Sequence, residues 1–83
     1  AIAWAKDGIQ VNAILPGWIR TDLTAAIERP ENRERHSSIS SRIPIGRWGE
    51  PGDLAGTAVF LASQASDYVT GTASAVDGGY SSY

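Results

Sequence analysis

Few side chains in this chain of 83 residues could do chemistry. There is no cysteine, which excludes a disulfide scaffold, a cysteine-based zinc site and a thiol nucleophile. His36 is the only histidine, and an imidazole is the commonest general base. It lies in a stretch rich in Arg and Ser, where a solvated side chain is expected. The more informative segment is Pro16-Gly17-Trp18-Ile19-Arg20-Thr21. Pro16 cannot continue a strand ladder, and Gly17 permits a tight turn or a close backbone approach. On residue types alone, Pro16-Gly17 reads as a turn and Thr21 as a helix N-cap ahead of Asp22.

The charge balance narrows the partners. With 7 basic and 9 acidic residues the net charge is −2, which recommends neither nucleic acid nor an anionic membrane. Arg29, Arg33 and Arg35 come closest to a cluster, but Glu28, Glu31 and Glu34 are interleaved with them. That pattern describes a solvated helix face of mixed charge, not a phosphate track. No apolar run approaches the roughly 20 residues of a membrane span, and no signal peptide is evident. The expected compartment is the cytoplasm.

The elements that must position these residues follow from periodicity. Ala1 to Lys6 reads as the last turns of a helix closed by Asp7-Gly8, with Gly8 left-handed. From Ile9 to Leu15, Ile9, Val11, Ala13 and Leu15 alternate with Gln10, Asn12 and Ile14, a strand pattern that Pro16 ends. Asp22 to Ser41 is polar and is expected to hold two short helices, Asp22 to Glu28 and Glu31 to Ser40, with Pro30 opening the second. Such a surface-lying stretch commonly covers a binding site. Arg42 to Gly49 is expected to be extended. Pro51 then opens a helix running to about Gln64, with Leu54, Ala55, Ala58, Val59, Leu61 and Ala62 as its apolar stripe. Gly56 on that helix suits a neighbouring backbone packed close. A second strand spans Thr72 to Asp77, Gly78-Gly79 stops it, and Tyr80 to Tyr83 form a tail.

Strand, loop, helix, strand is the order of a right-handed crossover joining parallel strands. Two parallel strands are not a sheet, because parallel sheets normally have both faces covered by helices. Only one substantial helix is present here, so the chain is expected to continue upstream of Ala1.

Several segments, in order and spacing, resemble the short-chain dehydrogenase/reductase family. They are Gly8-Ile9-Gln10-Val11-Asn12-Ala13, Pro16-Gly17-Trp18-Ile19-Arg20-Thr21, and Arg42-Ile43-Pro44-Ile45-Gly46-Arg47-Trp48-Gly49-Glu50-Pro51. Phe60-Leu61-Ala62-Ser63, Tyr68-Val69-Thr70-Gly71 and Val76-Asp77-Gly78-Gly79 complete the set. Each is weak by itself; together they span nearly the whole chain. The resemblance implies an α/β fold in which residues 1–83 are the C-terminal part of one Rossmann-type, doubly wound parallel sheet. They would supply strand six, the substrate loop, a helix and strand seven. It implies an oxidoreductase transferring a hydride between NAD or NADP and an alcohol or carbonyl substrate. The wording of Arg42 to Gly49 and of Ala65 to Val69 leans toward members that act on sugar acids and polyols.

By the same resemblance, Pro16, Gly17, Ile19 and Thr21 face the nicotinamide. Backbone groups near Ile19 and the Thr21 hydroxyl would hold its carboxamide or adjacent phosphate oxygens. Trp18 would wall the substrate pocket, or else pack beneath the loop. The family's reactive tyrosine, with a lysine four residues later, is not found here: Thr72 follows Tyr68 at that spacing, and the chain ends before Tyr80 and Tyr83 could have one. No catalytic residue is therefore assigned, and the isolated chain is expected to be inactive. The Pro51 helix and the Thr72 strand are implied to form a subunit interface of a tetramer or dimer. Two alternatives stay open: a non-catalytic oligomerisation fragment, and a parent that binds cofactor without turnover.

Overall fold

The structure is a computed structural model in which residues 1–82 are described; Tyr83, the last residue of the expected tail, lies outside them. Two short strands, β1 (Ala13–Pro16) and β2 (Ala73–Val76), pair in parallel, Ala13 opposite Ala73 and Pro16 opposite Val76. Between them run α1 (Arg33–Ser41) and α2 (Gly52–Ala62). Parallel strands need a crossover long enough to return the chain to the same end, and these two helices lie within it.

The strand expected from Ile9 begins only at Ala13. Residues 9–12 face a loop instead of a strand, so their polar groups find other partners. The Gln10 amide donates to the Ser66 and Val69 carbonyls, and Val11 N–H donates to the Thr70 hydroxyl at 3.1 Å. Asn12 donates to the Val69 carbonyl at 3.1 Å and accepts from the Thr72 amide at 3.0 Å and the Thr72 hydroxyl at 2.9 Å. Buried or half-buried polar groups are paired here by side chains where the ladder fails. The second strand is shorter than Thr72 to Asp77, because Asp77 turns its carboxylate onto the Gly79 amide at 2.9 Å and bends the chain.

The other boundaries shift for local reasons. Ala1 to Lys6 holds one 3₁₀ turn, Ala5–Asp7, closed as expected by Gly8 at φ 74°. The expected helix from Asp22 reduces to a 3₁₀ turn at Ala25–Glu28. Pro30 opens a further 3₁₀ turn, Pro30–Asn32, and α1 follows from Arg33. The serines of α1 are tolerated because the Ser40 and Ser41 hydroxyls bond back to the His36 and Ser38 carbonyls. Pro51 sits just ahead of α2, where the Asp53 carboxylate accepts the Glu50 amide at 2.7 Å while Asp53 N–H donates to the Glu50 carbonyl at 2.8 Å. That reciprocal closure satisfies an N–H that would otherwise be left over at the helix start. Gly56 meets no neighbouring backbone among the described residues.

The buried core is small: Ile39, Ile43 and Trp48, with Trp18, Ile27 and Tyr80 packed against it. Accessible surface totals 6145 Å², whereas a folded monomer of 8.8 kDa exposes about 4,800 Å². The radius of gyration is 16.0 Å, against about 12 Å for a compact chain of this length. Leu15 on β1 and Val59 and Phe60 on α2 are exposed, as are Ile9 and Val11. These apolar surfaces are what a wider sheet and its covering helices would bury. Among the described residues, no helix is long and apolar enough to cross a membrane.

Candidate functional site

At the carboxyl ends of β1 and β2 the chain bends away from the ladder. Gly17 N–H still reaches the Val76 carbonyl at 3.1 Å, so the two strand ends remain in contact as they leave the sheet. A Cβ at Gly17 would lie 2.5 Å from the Asp77 Cβ and 2.7 Å from its Cα. Only glycine fits, and the close-approach reading of Gly17 is the one the geometry bears out.

Beside this junction opens a cavity of about 430 Å³, with Pro16, Gly17, Trp18, Tyr80 and Ser81 among its walls. A second cavity of about 170 Å³ shares Trp18 and Asp77 with the first and is otherwise lined by Ile19, Ile45, Arg47, Val76 and Gly78 among others. In open parallel sheets ligands collect in this position, beyond the carboxyl ends of the strands. Pro16, Gly17 and Trp18 thus meet at one cavity, and Trp18 and Ile19 at the next.

Trp18 both walls a cavity and packs. Its ring lies 5.4 Å from Trp48 at a tilt of 51° and 6.3 Å from Tyr80, edge to face. Trp48 is stacked in turn on His36, with centroids 5.1 Å apart and planes within 5°. The Trp48 Nε1–H donates to the Ser40 hydroxyl at 2.9 Å. His36, expected to be solvated, is instead half-buried against an indole. One turn of α1 presents His36, Ile39 and Ser40 to the same neighbour, the i, i+3, i+4 spacing of one helix face.

Ile19 forms a single parallel bridge with Gly49. Arg20 N–H donates to the Gly49 carbonyl at 2.8 Å, and Gly49 N–H to the Trp18 carbonyl at 2.9 Å. The Ile19 carbonyl accepts the Thr24 hydroxyl at 2.9 Å. Its amide N–H has no partner among the described residues. Thr21 is exposed and lines neither cavity. It does not cap a helix: the Thr24 hydroxyl accepts the Thr21 amide at 2.9 Å and closes the turn in its place. The Thr21 hydroxyl makes no hydrogen bond among the described residues.

Ion pairs frame the loop. Arg20 bridges Glu28 at 2.7 Å and Glu50 at 3.0 Å, which raises its pKa through those hydrogen bonds. Arg47 grips Asp53 through two nitrogens at 2.8 and 3.1 Å. That fork and the Glu50 amide lower the Asp53 carboxyl from its ordinary 3.8 to about 2. Asp77 is also held below the usual range, by the Ser81 side chain and the Gly79 and Ser81 amides. Tyr80, expected in a tail, is half-buried against Trp18 with the Arg42 guanidinium 5.2 Å from its ring centroid. The aromatic type at position 80, just past the Gly78-Gly79 turn, was the only signal available for this contact.

Residues 1–81 match the family model described as enoyl-(acyl carrier protein) reductase. The chain belongs to the short-chain dehydrogenase/reductase family. Over 77 residues it is 57% identical to a 2-dehydro-3-deoxy-D-gluconate 5-dehydrogenase of Bacillus subtilis (strain 168), a match covering 93% of this chain and 30% of that protein. A galactitol 2-dehydrogenase (L-tagatose-forming) of Cereibacter sphaeroides is 48% identical over 81 residues, covering 96% of this chain and 31% of that protein. A crystal structure of an Agrobacterium tumefaciens protein with bound NADP superposes with a TM-score of 0.92 at 49% identity. That superposition covers 99% of this chain and 32% of the other. The chain therefore spans about a third of the length of the family relatives it matches.

Proposed function

We propose that these residues are the C-terminal portion of an NADP- or NAD-dependent oxidoreductase acting on a sugar acid or a related polyol. The observation that carries this is the cavity walled by Pro16, Gly17 and Trp18 at the carboxyl ends of a parallel strand pair. The 57% identity to a sugar-acid dehydrogenase across most of the chain supports the substrate class.

The residues present fit a nicotinamide. A flat, uncharged ring needs a close apolar floor and a few donors at its carboxamide. Gly17 lines the cavity, the Ile19 amide has no internal partner, and the Thr21 hydroxyl is uncommitted. Ile19 and Thr21 would hold the carboxamide or nearby phosphate oxygens, and Trp18 would wall the substrate. When bound, the nicotinamide accepts or supplies the hydride; the protein's part is to orient it and exclude water. The Ile19–Gly49 bridge and the Thr24 hydroxyl fix the loop that does so. The proton-transfer machinery, a tyrosine followed four residues later by a lysine, would come from the two thirds of the relatives' length that these residues do not span. Subunits would associate through α2 and β2 as a dimer or tetramer, in the cytoplasm.

Expression of the whole reading frame and a reduced-nucleotide absorbance assay test the proposal. NADP- or NAD-linked oxidation of hexonic acids or their deoxy derivatives is expected. An in-frame stop immediately before Ala1, or a full-length protein inert toward acids and polyols alike, would contradict it.

A further inference from the structure

The two cavities at the carboxyl ends of β1 and β2 share one charged residue, Asp77. Gly17 lines the larger cavity and Ile19 the smaller, so in each of them Asp77 accompanies a residue of the proposed nicotinamide loop. It also packs directly on that loop, since its Cβ and Cα fill the space beside Gly17. Among the described residues, Asp77 is the only charged side chain on the wall of the 430 Å³ cavity. Arg47 and Asp53 join it at the 170 Å³ cavity, but they pair with each other at 2.8 Å and leave Asp77 as the net charge there.

The Asp77 carboxylate accepts the Gly79 amide at 2.9 Å and the Ser81 amide at 3.1 Å. The Ser81 side chain and these amides hold it below the usual carboxylate range, so it is ionised at neutral pH. Amide donors spread that charge without cancelling it, and no Lys, Arg or His pairs with Asp77 among the described residues. A nicotinamide ring is cationic when oxidised and neutral once it holds the hydride, while the rest of the dinucleotide is the same in both forms. A fixed negative charge beside the ring therefore acts on one form only. We propose that Asp77, on the wall of both cavities and against Gly17, makes the site prefer the oxidised nucleotide over the reduced one. The assignment rests on the oxidoreductase function proposed above. It gives Asp77 a part distinct from that of Ile19 and Thr21, which would orient the carboxamide in either form.

The test is direct binding of NADP⁺ and NADPH, or of NAD⁺ and NADH if the whole protein prefers that pair, to the full-length protein by calorimetry. Wild type is compared with D77N and D77S. D77N removes the charge at nearly constant shape, and D77S keeps a hydroxyl that can close the same turn, so either serves if the other fails to fold. In both, Kd for the oxidised nucleotide is expected to rise while Kd for the reduced one holds. The ratio of reduced to oxidised Kd should fall by roughly three- to tenfold, the scale of one charge acting across partly solvated protein. Equal weakening of both forms would mean that Asp77 only holds the turn, and that result or an unchanged ratio would overturn the assignment while leaving the oxidoreductase standing. Wild-type protein that binds neither form of either nucleotide would sink the oxidoreductase itself.

Discussion

Asp77 occupies the space that any side chain on Gly17 would need: a Cβ there would lie 2.5 Å from the Asp77 Cβ and 2.7 Å from its Cα. This contact joins the ends of β1 and β2 just where the proposed nicotinamide loop begins. Because the obstacle includes backbone, it cannot swing aside as a flexible side chain would. Gly17→Ala should part the strand ends, at a cost of roughly 1–3 kcal/mol. Denaturant titration of the full-length protein checks the stability, and nucleotide titration should show weakened NADP binding. Wild-type values for both would place the strand ends further apart than described.

The indole of Trp48 is 6% exposed and touches His36, Ser40 and Trp18. Trp48→Ala should remove the centre of the small core and cost about 3–5 kcal/mol. Ser40→Ala leaves the Nε1–H without its acceptor and should cost about 1–3 kcal/mol. Thermal or denaturant melting of the two variants should rank them in that order.

Asn12 makes three hydrogen bonds to Val69 and Thr72 and holds the loop ahead of β2 in register. Asn12→Ala should free the Thr72 amide, and hydrogen exchange at Thr72 should accelerate well before the protein as a whole opens. Unchanged protection at that amide would mean the register is fixed elsewhere.

Acid should weaken the start of α2. The Asp53 carboxyl is depressed from 3.8 to about 2, first by the Arg47 fork and then by the Glu50 amide. A depressed carboxyl contributes stability above its unfolded value and loses it as pH falls through the folded value. This contribution is therefore constant from neutrality to about pH 4 and fades between about pH 4 and pH 2. Asp53→Asn should abolish that component of the acid dependence while keeping an acceptor for the Glu50 amide. Because the pair is exposed the effect should be modest, and added salt should shrink it.

Much of the frame could be read from residue types. Pro51 ahead of an apolar stripe gave α2, and the alternation through Leu15 with Pro16 after it gave β1 and its end. Gly17 is compatible by type with a turn or a close approach, and the structure shows the close approach, by Asp77. β1 starts later than its alternation suggests, because the apolar pattern continues back to Ile9 whereas pairing depends on a partner strand that begins at Ala73. A periodic pattern reports which faces are apolar; it does not report where the neighbouring strand begins. The His36–Trp48 stack and the Arg42–Tyr80 contact were illegible for a related reason. Each joins residues separated by reversals at Pro44–Gly46 or Gly78–Gly79, where no repeat period survives. Gly46, Gly78 and Gly79 all have positive φ, and such turns set directions that spacing alone cannot supply.

The account depends on β1 and β2 being part of a wider sheet, since the chain exposes 6145 Å² and leaves Leu15, Val59 and Phe60 in solvent. The direct measurement is thermal unfolding of the purified 83-residue chain, followed by circular dichroism with sedimentation to fix its association state. A broad, non-cooperative change in a monomer is predicted. A sharp two-state transition from a monomer would contradict the account, because these residues would then bury and pair themselves without further strands.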